Sequence, residues 1–403
     1  MFRSKLIVNC HLLQVTCERI VRAFIVRCRE VNPVLNAISE NRFCNAIDEA
    51  HTIDQMIDSV PFTVKESCGL KGMRFSVGCT LRDGMKAMEN GAAVEKLVKA
   101  GAIPILVSNT PELCCSIETY NFITGRTNNP YNRFRTSGGS SGGEAALLGS
   151  GASVIGIGSD MGGSIRVPAM FNGVYGHKPT PGIIDLTGHF PLDPSPDFQK
   201  VLCIGPMTRY AEDLTPMFKI LAGDKASSLN LDHKVNLKKN ISSLKKNGKK
   251  AVFFFFPLSF TLHYGECFGP TRKTFNSDCR IPKITTYFPK GFTIETKSCE
   301  ISSMNLFFSQ NLLKDNGVLL CPTSAQPAFY HGLFPLKQTL TCQAFLFNIL
   351  HLPATNVPLG LNSQGLPIGL QVVAGPGQDK LCFQVAEELE AAFGGWVPPP
   401  SSY

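Results

Sequence analysis

A chain of 403 residues with 43% hydrophobic and 17% charged side chains has the composition of a globular protein with a large buried core. Its formal net charge of +8 is concentrated, because seven lysines and no acidic residue fall between Lys234 and Lys250. No aromatic residues interleave with that run. It reads as a solvated loop, and no nucleic-acid partner is expected.

The N-terminal segment MFRSKLIVNCHLLQVTCERIVRAF lacks the layout of a cleavable signal, since polar residues interrupt each apolar run. The longest apolar run, Ala251 to Leu262, is broken by Pro257 and is too short to span a bilayer. Fifteen cysteines without a CxxC pair, Cys114 and Cys115 adjacent, suit free thiols in a reducing compartment. The expected location is therefore intracellular, either cytoplasmic or peripherally attached to a membrane. The sequon at Asn240 is too common a pattern to argue for secretion. Eight histidines form neither HxxxH nor HExxH, so no metal site and no cofactor are expected.

In chain order, residues 16–57 are predicted helical in two stretches. Ile20, Val21, Phe24 and Ile25 share one face of the first, and Ala37 to Ile57 is rich in Ala, Glu and Asp. Val60, Phe62 and Val64 alternate with Thr63 and Lys65, predicting a strand that delivers Lys65 to its end. Ala92 to Ala100 reads as a helix stopped by Gly101, and IPILVS as a buried strand. Helix, glycine, apolar strand is the rhythm of an α/β protein. Glu212 to Leu221 reads as a helix closed by Gly223. From about Lys225 to Ser303, prolines and glycines interrupt every period and no element is assigned. A short helix from Asn305 to Lys314 follows, then GVLLCPT as a strand. Two apolar strands joined through Asn362-Ser363-Gln364-Gly365 come next, and Phe383 to Phe393 is a closing helix.

The segment GGSSGGEAALLGSGASVIGIGSDMGGSIRVPA, residues 138–169, holds ten glycines and six serines. Leu147, Leu148, Val154, Ile155 and Ile157 exclude a flexible linker. A phosphate-cradling loop would need a lysine after Gly143, and none is there. A nucleophile elbow, GxSxG, fits Gly139 to Gly143 with Ser141 in the middle, but it requires an acid and a histidine further along. A serine activated by lysine accounts for more residues. Lysine ordinarily titrates at about 10.4, so such a base must be buried among uncharged partners. Lys65 is the candidate; its ordinary alternative is a strand-end lysine reaching solvent. The glycines of Met161-Gly162-Gly163-Ser164 can turn N–H groups inward toward a developing oxyanion, where otherwise they form a plain tight turn.

Taken together, VPFTVKE, GGSSGGEAALLGSG and GIGSDMGGSIRVPA resemble the amidase signature family. GRTNNPYN before them and GVYGHKPTPG after them support the resemblance, which covers about residues 15–225 and 305–400. It implies an α/β fold with a large twisted mixed sheet covered by helices on both faces. The whole chain, 1–403, would form one amidase domain: N-terminal helices (1–58), a signature core (59–225), a divergent, shortened insert (226–304) and a C-terminal part of the same sheet (305–403). Carried over residue by residue, the family pattern implies Ser164 as nucleophile and Lys65 as general base. Ser140, held in the family through a cis peptide bond, would relay protons between them. The N–H groups of Met161, Gly162, Gly163 and Ser164 would form the oxyanion hole, with Ser141, Asp160 and Arg166 bracing the site.

GHKPTPG, GHFPL, TRYAEDLTPM and the ending LGLNSQGLPIGLQVVAGPGQD with FGGW are similar to fatty-acid amide hydrolases, of the second vertebrate type and its invertebrate relatives. That similarity implies a small-molecule lipid amide as substrate, no cofactor, and room for peripheral membrane contact. Such relatives usually begin with a membrane-spanning helix, for which this sequence has no candidate. Two other readings stand beside this one. One is an amidase of different substrate class, such as the amidase component of a glutamyl-tRNA amidotransferase, although those usually lack the histidine before KPT. The other is a catalytically impaired, lipid-binding remnant, because the family's longer insert helps to wall the acyl channel. An active enzyme requires Lys65 buried against Ser140.

Overall fold

The computed structural model describes residues 15–53, 59–229, 231, 252–253, 285–286, 313–314, 316–337 and 342–400. The first helix, α1 (Cys17–Leu35), starts where the Thr16 hydroxyl accepts the Arg19 N–H at 3.3 Å. It ends at Asn36, whose left-handed backbone (φ 49°) donates its N–H back to Asn32. Cys17, Ile20, Val21, Ile25, Cys28, Val31 and Leu35 form its buried face. The predicted second helix is interrupted at its start. Ile38–Asn41 is a strand, β1, and α2 covers Phe43–Ile53. The Asn36 turn ends helical winding, and β1 then pairs antiparallel with β3 (Ile103–Ser108), so tertiary pairing overrides the helical composition of Ala37 to Ile57.

The predicted strand around Lys65 is β2 (Pro61–Lys65). Its polar/apolar alternation does not mark a solvent face, since all five residues are buried. The strand runs parallel to β3 on one side and to β4 (Ile155–Asp160) on the other. A parallel strand in such a position is covered on both faces. Phe62 and Val64 join the core beneath α3 (Ala92–Lys99) and α7 (Leu214–Ala222), while Thr63 and Lys65 point to the opposite layer. That layer holds α4 (Gly142–Gly149) and α5 (Arg166–Phe171), with α1 and α2 beside them. α6 (Pro196–Val201) is short and exposed.

Beyond β4 the sheet continues through β6 (Cys203–Thr208), β5 (Tyr175–Lys178), β8 (Ala354–Leu361), β9 (Pro367–Ala374) and β7 (Val318–Pro322). Two two-residue strands, Val252–Phe253 and Thr285–Thr286, extend that edge. The full order is β1-β3-β2-β4-β6-β5-β8-β9-β7 before those two, a mixed sheet with helices on both faces. Strands from before and after the insert thus share one sheet. Helix α8 (Cys342–Ile349) lies against the loop that follows β4. Helix α9 (Asp379–Phe393), four residues longer at its start than predicted, packs across β8 and β9.

The predicted helix from Asn305 falls outside the described residues but for Leu313 and Lys314. The lysine run, the Asn240 sequon and Phe254 to Phe256 lie wholly outside them. Among the described residues no helix is long and apolar enough to cross a membrane, and the described cysteines are free thiols.

Candidate active site

Lys65 stands at the carboxyl end of β2, where the parallel register with β4 brings it beside Ser159. The side chain is fully buried. Its Nζ lies 2.7 Å from Ser140 Oγ, 2.9 Å from Ser159 Oγ and 3.3 Å from the Ser159 carbonyl oxygen. Ser140 and Ser141 come from the turn that leads into α4, whose peptide bond Gly139–Ser140 is cis. The Thr110 hydroxyl donates to the Ser140 carbonyl oxygen at 3.1 Å, and Thr119 donates to that of Gly138 at 2.9 Å. Together they hold this turn against the end of β3.

Ser164 lies on the loop between β4 and α5. Its carbonyl oxygen accepts the Ser141 N–H at 3.1 Å, which ties the two serine segments together. Ser141 Oγ donates to the Ser159 carbonyl oxygen at 3.2 Å. The Ser164 side chain is 9% exposed, on the rim of the buried set. Among the described residues no hydrogen bond joins its hydroxyl to Ser140, so the structure brings Lys65 and Ser140 into contact but does not join Ser164 Oγ to them.

The Ser164 loop hangs from Asp160. Its carboxylate accepts the Gly163 N–H at 2.7 Å, the Ile165 N–H at 3.1 Å and the Arg166 N–H at 3.4 Å. Arg166 closes a buried pair with it, Nε to Oδ2 at 3.0 Å and the terminal nitrogen to Oδ1 at 3.1 Å. Burial alone would raise the Asp160 carboxyl. The Arg166 charge and hydrogen bonds, with the Gly163 amide, outweigh it and hold the group well below the usual carboxylate range. The Gly163 N–H is thereby committed to Asp160. Of the four N–H groups expected in an oxyanion hole, those of Met161, Gly162 and Ser164 are the ones that donate to no described residue.

Several contributors were not singled out in the sequence. Ser159 sits inside GIGSDMGGS, but its contact with Lys65 depends on strand register. Asn348 on α8 accepts from Arg166 at 2.6 Å and donates to Asp160 Oδ1 at 3.0 Å, and Gln371 on β9 accepts from Arg166 at 2.8 Å. Glu66, next to Lys65, faces away and accepts from Ser39, Ser76 and the Val77 N–H, pinning the following loop. His189 of the GHFPL segment is buried near Lys65. Its Nδ1 pairs with the Pro191 carbonyl oxygen at 2.9 Å, and burial is the main cause that pushes the imidazole down to about 3. On the surface beside the Ser164 loop, Met161 and Phe345 are both about two-fifths exposed (41% and 42%), with the Phe345 ring lying over Gly162.

Among the described residues no group of three or more His, Cys, Asp or Glu side chains is placed to hold a metal ion. A mixed α/β sheet that buries a lysine against serines beside a glycine-rich loop is the architecture of amide-bond hydrolases of the amidase signature type. The sequence profile of the Amidase family matches residues 19–262 and 287–383, and the chain belongs to that family. It is 36% identical to fatty-acid amide hydrolase 2-A of Danio rerio, over 96% of this chain and 87% of that protein. It is equally similar to fatty-acid amide hydrolase 2 of Homo sapiens, 36% over 96% of this chain and 88% of that one. One component of the glutamyl-tRNA(Gln) amidotransferase of Sulfurimonas denitrificans is 27% identical over 90% of this chain and 93% of its own. Peptide amidase from Stenotrophomonas maltophilia shares the fold, with a TM-score of 0.77 at 18% identity over 99% of this chain and 98% of that one. The first two alignments run over 468 and 469 positions, more than the 403 residues present here, so those relatives carry residues that this chain lacks. The family match breaks between residues 262 and 287, inside the insert.

Proposed function

We propose that this chain hydrolyses fatty-acid amides through Ser164, Ser140 and Lys65, by way of an acyl-enzyme. The observation that carries the reading is the buried contact of 2.7 Å between Lys65 Nζ and Ser140 Oγ. A neutral amine has two N–H donors and one lone pair. Nζ has three oxygen neighbours, Ser140 Oγ, Ser159 Oγ and the Ser159 carbonyl oxygen; in the proposed reaction its lone pair takes the Ser140 proton while its two N–H groups stay on Ser159. No carboxylate of the described residues lies within hydrogen-bonding distance of Nζ to hold it as ammonium.

In the reaction, Lys65 takes the Ser140 proton as Ser140 takes that of Ser164, and Ser164 Oγ bonds to the amide carbon. The carbonyl oxygen becomes an oxyanion facing the N–H groups of Met161, Gly162 and Ser164. Collapse breaks the C–N bond, and the proton returns through Ser140 to the leaving nitrogen. Water then attacks the ester and gives its proton through Ser140 to Lys65, and collapse breaks the C–O bond to Ser164, which takes that proton back as the fatty acid leaves. Arg166 and Asp160 keep the Ser164 loop in place. The lipid-amide substrate rests on the relatives at 36% identity, and the exposed apolar side chains of Met161 and Phe345 beside Gly162 are compatible with it. The Lys65–Ser140 contact supports this enzyme over a catalytically impaired remnant.

The test is labelling of the purified protein by a fluorophosphonate, with Ser164→Ala and Ser140→Ala beside it. Wild type should label, Ser164→Ala should not, and Ser140→Ala should label far more slowly. Folded wild type that resists the probe would sink the serine mechanism. A labelled enzyme that cleaves short amides but neither long-chain primary amides nor N-acylethanolamines would sink only the substrate.

A further inference from the structure

Behind the serines and Lys65 lies a second carboxyl group that the chemistry above does not use. Glu144, on the first turn of α4, is completely buried. Its Oε2 is 2.6 Å from Thr63 Oγ1, two residues before Lys65 on β2. Thr63 Oγ1 is in turn 3.1 Å from Ser153 Oγ, and Ser153 Oγ is 2.9 Å from the Ile155 carbonyl oxygen. Gly156 makes the space for this chain, because a Cβ there would overlap Glu144 Oε2.

The chain contains three oxygen–oxygen contacts, and each needs one proton. The Ile155 carbonyl can only accept, so Ser153 spends its proton on it. Thr63 has one proton and two remaining contacts. If Glu144 were a carboxylate, either Thr63–Ser153 or Thr63–Glu144 would be two oxygens at hydrogen-bonding distance with no hydrogen between them. A proton on Glu144 Oε2 closes the count: Glu144 donates to Thr63, Thr63 to Ser153, and Ser153 to the carbonyl.

From this proton count we infer that Glu144 is held as a neutral carboxylic acid at neutral pH, and that its neutrality leaves Lys65 free to act as a base. Burial acts in the same direction, pushing the Glu144 carboxyl up to about 8 against the hydrogen bonds and the nearby lysine. The titratable groups that face it are Lys65 on β2, Cys68 in the loop beyond and Cys28 on α1. Burial pushes both thiols up to about 12, so neither supplies a competing charge. Glu144 Oε1 and the Ser108 hydroxyl oxygen are both buried without a hydrogen-bond partner among the described residues. An ionised Glu144 would instead favour the ammonium form of Lys65. Glu144 is in this sense a positioning residue that acts through Lys65. Its effect on rate rests on the mechanism proposed above, but its protonation does not.

Two measurements separate these claims. Infrared difference spectra of wild type minus Glu144→Gln at pH 7 should show the carbonyl stretch of a protonated carboxylic acid. The same band should move to higher frequency in Thr63→Val, which removes the hydrogen-bond acceptor while leaving Glu144 in place. A carboxylate pair of bands at pH 7 in wild type would overturn the inference whatever the activity. The acid limb of kcat/KM should keep its midpoint in Glu144→Gln, because the amide reproduces the neutral acid at every pH. A midpoint lower by a full pH unit or more in Glu144→Gln, in a variant whose unfolding curve shows it folded, would show that a charge on Glu144 had been holding the proton on Lys65, and would overturn the link while leaving the serine mechanism standing.

Discussion

Replacing Arg166 with methionine removes the guanidinium from a site with no access to water. Arg166 and Asp160 are both fully buried, and four side-chain hydrogen bonds go with the guanidinium: two to Asp160, one to Asn348 and one to Gln371. Asp160 keeps three backbone N–H partners and Asn348 but loses its counter-charge. Breaking a buried pair from one side costs about 3–5 kcal/mol, because the remaining charge is left without compensation. Asp160→Asn in the same chain removes that charge and keeps an oxygen for the Gly163 N–H, so the double variant should recover about 2 kcal/mol of the loss. Urea unfolding of wild type, both single variants and the double variant measures the coupling. Fluorophosphonate labelling of the same four proteins reads the Ser164 loop. Arg166→Met within about 1 kcal/mol of wild type, or a double variant no more stable than Arg166→Met, would refute the argument that this pair carries the loop.

Gly163 adopts φ 111°, and a Cβ there would sit 2.8 Å from that of Ala344, so Gly163→Ala should cost about 1–3 kcal/mol. Labelling of Ser164 should slow by more than that loss in stability accounts for, and an unchanged labelling rate would count against the loop geometry. His189 should make the protein acid-sensitive. Its folded pKa lies below the ordinary 6.5, so the unfolded chain takes up the proton first as the pH falls, and stability is lost between about 6.5 and about 3. From pH 7 to pH 5 the loss is about 2 kcal/mol. Urea unfolding across that range should show a smaller slope for His189→Gln, and equal slopes would show that His189 does not fold neutral.

Much of this site was legible before any coordinates. The strand reading of VPFTVKE puts Lys65 at a strand end, while its pairing with Ser140 is legible only through the resemblance to the amidase signature family, and β2, β3, β7, β8 and β9 fall close to where periodicity puts them. Ser159 was in plain view but undistinguished, since its role comes from β2 lying parallel to β4 with Val64 opposite Ile157. Asn348 and Gln371 lie 182 and 205 positions from Arg166, and nothing local in LFNIL or GLQVV marks them as partners of a buried guanidinium. The commitment of the Gly163 N–H to Asp160 is equally invisible in sequence, because a glycine pair before a serine permits either arrangement. Helical composition after Ala37 misled because a single left-handed residue, Asn36, and an available edge at β3 outweigh propensity summed over a short stretch.

The distance between Arg166 and its partners also governs when the site can exist. A ribosome releases Lys65, Ser140 and Ser164 long before it releases Asn348 and Gln371, the two residues that complete the Arg166 cage. Until α8 and β9 emerge, the guanidinium lacks two of its acceptors and the pair it forms with Asp160 remains open to water, so the Ser164 loop has only the local support of Asp160 and its own N–H groups. The nascent chain therefore carries its reactive serines well ahead of the framework that orders them. Hydrolytic activity should appear as a late event of synthesis, together with closure of the sheet.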